Sequence, residues 1–133
     1  MRPFLIAAVA ACVFGLVAAC SSTAANNNGT AQQATTGILI DQACGAKMMA
    51  KDDPETAAAA HTKACATADA CAASGYAVIS GKEMLKFDDT GNQLAKDFLA
   101  KTDKTDDLRV TVQGTRNGDQ IAVTSLTAAS DSK

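Results

Sequence analysis

Apolar residues in this chain come in short runs separated by polar turn signals, and the runs change period along the sequence. Gly37 to Ile40 is an apolar, β-branched stretch that predicts a first strand. Residues 45–74 are alanine-rich, and Pro54-Glu55 after Asp52-Asp53 has the form of a helix start, so Pro54 to about Ala72 reads as helix. Ser74-Gly75 breaks that pattern. Tyr76 to Ile79 then reads as a strand, Ser80-Gly81-Lys82 as a turn and Glu83 to Phe87 as the returning strand. Asp88 to Asn92 has loop composition. Leu94, Phe98 and Leu99 recur at helical spacing within Gln93 to Lys101. Leu108, Val110 and Val112 alternate with polar neighbours, Asn117-Gly118 marks a tight turn, and Ile121, Val123 and Ser125 alternate in a last strand. Leu126 falls out of phase with them.

The order is strand, helical segment, two strands, helix, two strands. It predicts an α+β, mainly β domain: a small five-stranded OB-like barrel with a helical insertion between strands 1 and 2 and a helix between strands 3 and 4. The competing arrangement is an α+β sheet with helices on one face. The folded domain spans residues 37–127, and 128–133 read as a tail.

Upstream the pattern is different. Met1-Arg2 is a short positive segment, Phe4 to Val17 is apolar, and Val17-Ala18-Ala19-Cys20 fits a lipobox. Residues 1–19 therefore read as a lipoprotein signal peptide, with Cys20 as the lipidated residue. The apolar run is short for a membrane span and ends in small residues rather than basic ones. Residues 20–36 are rich in Ser, Thr, Ala, Asn and Gln and read as a flexible tether. The expected location is the cell envelope, with the chain held to a membrane through lipid on Cys20. With Ser21 rather than aspartate after the cysteine, that membrane is the outer one in an organism with two.

Composition narrows the function. The chain has 133 residues and a net charge of −2, with no basic patch interleaved with aromatics, so nucleic-acid binding through phosphates is not expected. Alanine supplies much of the 47% hydrophobic content, and tryptophan is absent, so the apolar core is small. Such a domain gains from a covalent or metal staple.

Several pieces together resemble a group of small exported bacterial domains. They are Asp41-Gln42-Ala43-Cys44-Gly45, then His61 with Cys65 and Cys71, then Ser74-Gly75-Tyr76. The closing pieces are Val110 to Thr115 and Gly118 to Leu126. The resemblance covers about residues 37–127. It implies an OB-like barrel and carries no implication about activity.

Chemistry is concentrated in one cysteine/histidine cluster. Lipidation removes Cys20 from the thiol count, which leaves Cys44, Cys65 and Cys71, an odd number for an oxidising compartment. The single histidine, His61, precedes Cys65 by four residues, one face of a helix apart. Cys71 lies about 240° further round, so a bend near Asp69 or Ala70 is needed to bring it to the same point. One reading is a Cys3His metal site for Zn2+ or Cu+, with Asp41 orienting His61 and Met48 and Met49 adding thioethers if the metal is copper. The other is a disulfide between two of Cys44, Cys65 and Cys71, which oxidising export favours and which offsets the small core by about 2–4 kcal/mol. Met48 and Met49 are then core filler.

No nucleophile elbow, phosphate-cradling loop or paired-carboxylate motif is visible, and Asp88 to Asn92 lacks the glutamate of a calcium loop. The expectation is a non-enzymatic, membrane-anchored binding module whose partner is an envelope protein or a metal ion. The alternatives are a Cys3His metal-binding protein and a disulfide-stapled interaction domain.

Overall fold

The computed structural model describes residues 32–130. The leader, Cys20 and residues 21–31 of the expected tether lie outside the described residues, as do residues 131–133, while residues 32–36, expected as the end of the tether, are strand instead. The first strand, β1 (Gln32–Asp41), begins five residues before Gly37. Its early half is polar and mostly exposed, and it is held as strand by antiparallel pairing with the fourth strand, β4 (Arg109–Asn117), from Gln32↔Thr115 to Ile38↔Arg109. Its second half pairs with β2 (Tyr76–Ser80), from Ile38↔Ile79 to Asp41↔Tyr76.

Ile38, Leu39 and Ile40 are all fully buried, although successive strand residues face opposite ways. Leu39 packs inward with Tyr76, Val78, Leu85, Val110, Val112 and Ile121. Ile38 and Ile40 point outward and pack with Ala58 and Ile79, where Cys44, Met48, Met49 and Met84 cover them. The continuous apolar run is thus a strand buried on both faces, with the helical insertion lying over its outer face. Each large side chain buried this way stabilises the fold by about 1.5–3 kcal/mol.

β2 turns into β3 (Glu83–Phe87), and β4 turns into β5 (Gln120–Ala128). Sheet order runs β1-β2-β3-β5-β4, and the β1–β4 pairing returns the order to its start. The seam between β3 and β5 is parallel and rests on two residue pairs, Lys86↔Gln120 and Phe87↔Ile121. The five strands therefore close into a barrel, with one parallel seam in an otherwise antiparallel sheet. What the structure corrects is the expectation of a mainly β domain, since helix and strand claim similar lengths of chain. The description the structure supports is an α+β fold built on a closed, mixed five-stranded sheet.

A bulge explains the phase of Leu126. Gln113 pairs with Ser125 and Gly114 with Val123, which leaves Thr124 as an extra residue on β5. Beyond it the alternation reverses, and Leu126 packs against the interior cluster. Gly114 sits at this point because a Cβ there would stand 2.3 Å from the Ala122 carbonyl oxygen.

The helix expected from Pro54 to about Ala72 is three short helices, α2 (Pro54–Ala59), α3 (Lys63–Ala66) and α4 (Asp69–Ala73). Before them comes α1 (Gln42–Met48). Local caps set the breaks. The Thr62 hydroxyl accepts from the Cys65 amide and starts α3, while Ala68 is extended and ends the α3 segment. Last, α5 (Asp89–Lys101) starts earlier than the Gln93 expected, because Asp88 accepts from the Gly91 amide and makes the loop-like residues its first turn.

Candidate metal centre

The site forms where β1 gives way to the insertion. Asp41, the last residue of β1, is fully buried, and its Oδ1 accepts the Cys44 amide at 2.9 Å, capping α1. That cap places Cys44 in the first turn of α1, over the outer face of β1 and β2. The Gln42 amide donates to the Gly75 carbonyl at 2.8 Å, and the Gln42 side-chain amide donates to the Tyr76 carbonyl. These bonds join the start of α1 to the start of β2. Gly75, at φ +82°, makes the sharp exit from α4 that such a junction needs.

His61 lies in the link between α2 and α3, and its amide donates to the Ala58 carbonyl. The segment is tied to the α5–β4 connection on both sides. The Asp107 amide donates to the Ala59 carbonyl, the Lys63 amide to the Thr105 carbonyl and the Lys63 ammonium to the Thr102 carbonyl. Cys65 follows on α3. The chain then turns again at Thr67 and Ala68, so that α4 brings Cys71 back toward Cys65. Below them the Tyr76 hydroxyl donates to the Ala66 carbonyl at 3.0 Å, linking the floor of the site to the interior cluster.

The described residues hold two groups with the makings of a metal site. The Sγ atoms of Cys44, Cys65 and Cys71 all lie within 4.8 Å of one another. A second group, Asp41, Cys44 and His61, brings one carboxylate oxygen, one sulfur and one imidazole nitrogen within the same 4.8 Å. Cys44 belongs to both. The four ligands expected as one Cys3His set are therefore divided, with His61 grouped with Asp41 and Cys44. Asp41, expected to orient His61, stands at ligand distance itself. Both groups are consistent with Zn2+ or Cu+, which favour thiolate and imidazole donors.

Electrostatics in the site run against free negative charge. Burial and the Asp41 carboxylate push the Cys44 thiol up to about 12, and the same two causes push Cys71 upward. Tyr76 is raised by burial, by Asp41 and by Cys71. Burial lowers His61 despite the opposing pull of Asp41, which favours neutral imidazole, the form that binds metals. Its Nε2 lies 3.1 Å from Asp41 Oδ2. The pair is close but not aligned as a hydrogen bond, so Asp41 Oδ2 and both His61 ring nitrogens are buried without a hydrogen-bond partner. His61 is 6% exposed, and such unsatisfied buried polar atoms are costly and uncommon.

Cys44, Cys65 and Cys71 are free thiols, all half-buried. This corrects the expected disulfide staple: the structure gathers the three sulfurs without joining any two. Met48 and Met49 pack against the Ile38, Ile40, Ala58 and Ile79 cluster as core filler. Asp88 is an element-start residue, its Oδ1 accepting from the Gly91 and Val123 amides. Among the described residues no helix is long and apolar enough to cross a membrane. Asp41 as a donor was hidden in the sequence because its Asp-x-x-Cys spacing is equally that of a helix cap, and it serves as one.

No protein family, curated protein or solved structure matches this chain. No family is thereby shown for this chain, and the reading of the site rests on its own geometry.

Proposed function

We propose that this protein is a metal-binding module that holds a thiophilic ion, Zn2+ or Cu+, through Cys44, Cys65 and Cys71. The observation that carries the reading is the convergence of three free thiols from α1, α3 and α4 within 4.8 Å, beside a buried His61 whose ring nitrogens have no hydrogen-bond partner. Tetrahedral zinc with Zn–S bonds of about 2.3 Å needs sulfurs about 3.8 Å apart. The observed separations, none above 4.8 Å, exceed that spacing by no more than about 1 Å. A metal also supplies the positive charge that lets the thiols ionise next to Asp41. The role proposed is binding, with Asp41 and His61 beside Cys44 acting as metal donors rather than as an acid–base pair. The leader pattern ending at Cys20 supports a place at the cell envelope, and intact-mass measurement of the membrane form checks for the lipid.

Elemental analysis of protein purified without chelator tests the metal. Stoichiometric zinc or copper is expected, with its loss in Cys65→Ser. Thiol titration of the unfolded protein after metal removal should find three reactive thiols from the folded domain. Absence of stoichiometric metal, together with unchanged stability in His61→Ala, would overturn the reading.

A further inference from the structure

We propose that the site holds two divalent ions at once, bridged by the Cys44 thiolate. One ion is bound by Cys44, Cys65 and Cys71, the other by Asp41, Cys44 and His61. This deepens the metal-binding reading and rests on it.

Three observations carry the second ion. First, the two donor groups are distinct but share one sulfur. A thiolate has lone pairs for two metals. With bonds of about 2.3 Å it sets two ions roughly 3.5–4 Å apart, the ordinary spacing of paired-metal sites. Second, one ion at the three thiols satisfies none of the orphaned atoms around it. Asp41 Oδ2 and the His61 ring nitrogens stay buried without a hydrogen bond, Asp41 Oδ2 and His61 Nε2 having only their 3.1 Å contact with each other. A cation between Asp41 and His61 takes one oxygen and one nitrogen from that set. Neutral imidazole and a carboxylate, already 3.1 Å apart, are the donor pair for a borderline ion such as Zn2+.

Third, the charges balance. Metal binding releases the three thiol protons to solvent and leaves three thiolates beside the Asp41 carboxylate, four negative charges with neutral His61. One divalent ion leaves a net −2 in a site whose Asp41 is fully buried. Two divalent ions bring it to zero. Uncompensated buried charge is among the most expensive features a fold can carry, so the neutral assembly is the favoured one. Monovalent copper cannot reach that balance with two ions, which sets the preference for the divalent class. Each ion has three protein donors, leaving a fourth position to water or to a bridging anion.

The test is native mass spectrometry of the full chain loaded with Cd2+ as a zinc surrogate, followed by cadmium-113 NMR. The expected result is two cadmium ions per chain, with both cadmium resonances split by the β protons of Cys44. His61→Ala and Asp41→Asn should each reduce the count to one and leave the resonance coupled to Cys65 and Cys71. Asparagine retains the capping oxygen of Asp41, so that variant keeps the start of α1. If His61→Ala fails to fold, the wild-type splitting still decides. A wild-type count of one would overturn the second ion while leaving the three-thiol site standing. Two ions without a shared coupling to Cys44 would overturn the bridge. A count of zero would overturn this inference and the reading beneath it.

Discussion

The strand sheet and the helical insertion are built on different principles. Inside the sheet, Leu39, Tyr76, Val78, Leu99, Leu108, Val110, Val112 and Ile121 are essentially inaccessible to water, and large apolar side chains set the shape. The insertion from α2 to α4 buries Pro54, Ala58 and Ala66 from its helices, and α4 buries nothing. These helices are four to six residues long, too short to persist alone. Caps from Asp53 and Thr62, and hydrogen bonds to the α5–β4 connection, hold them. Yet His61, Cys65 and Cys71 lie in this poorly packed region, and Asp41 and Cys44 lie at its junction with β1. The sheet is a scaffold with its own core. The insertion lacks one, and bound metal would take its place.

The largest expected effect breaks the scaffold. Leu39→Ala should destabilise the whole domain by about 3 kcal/mol, read as a lower urea midpoint with the denaturant slope unchanged. A variant that melted only the insertion would contradict the division between the two regions. Metal removal is the converse. Chelation should raise amide exchange over residues 42–75 by more than about tenfold, while β4 and β5 keep their protection. Uniform loss of protection would mean that the two regions unfold as one.

A smaller effect is expected at the caps. Thr62→Ala removes the acceptor that starts α3 and should cost about 1 kcal/mol, with the exchange increase confined to the segment around Cys65. The weakest test concerns the tie between the regions. Glu55 on α2 accepts from the Gly81 amide in the β2–β3 turn and from Arg109 on β4. These two partners hold its carboxyl below the ordinary value of 4.5. A depressed carboxyl contributes stability that is fully present above that ordinary value and is lost as pH falls through the lowered one. Acid titration of stability should therefore show a slope below about pH 4.5 that Glu55→Gln removes. An identical slope in the variant would show that this tie contributes nothing.

Much of the sheet was legible because its strands obey simple rules. Val110 and Val112 alternate, Asn117-Gly118 turns, and Ile121 and Val123 alternate again. The early half of β1 was not legible. Gln32 to Thr36 has no apolar alternation because its side chains are mostly exposed, and only the ladder to β4 makes it strand. The insertion was misread for the opposite reason. Alanine favours helix at every position, so the run from Ala57 to Ala60 carries no signal of where helix stops, and a single hydroxyl on Thr62 decides it. At the site, the spacing of His61 and Cys65 suggested one helical face. In the structure His61 precedes the cap of α3, and the chain folds back at Thr67 and Ala68 to return Cys71. The residue types were readable, but their division into two donor groups depends on turns that spacing does not encode.

The pairing of β1 with both β2 and β4 also governs how the chain assembles. Thr36 meets Thr111 across 75 residues of sequence. During synthesis the first strand emerges long before that partner exists, and its Gln32–Thr36 half must wait unpaired until almost the entire domain has been made. Closing so long a loop costs entropy before any contact repays it. Folding of this small domain should therefore be slow for its size, in the millisecond-to-second range typical of topologies dominated by distant pairings. The hairpins of β2 with β3 and β4 with β5 would form early, and the first strand would be the last piece secured.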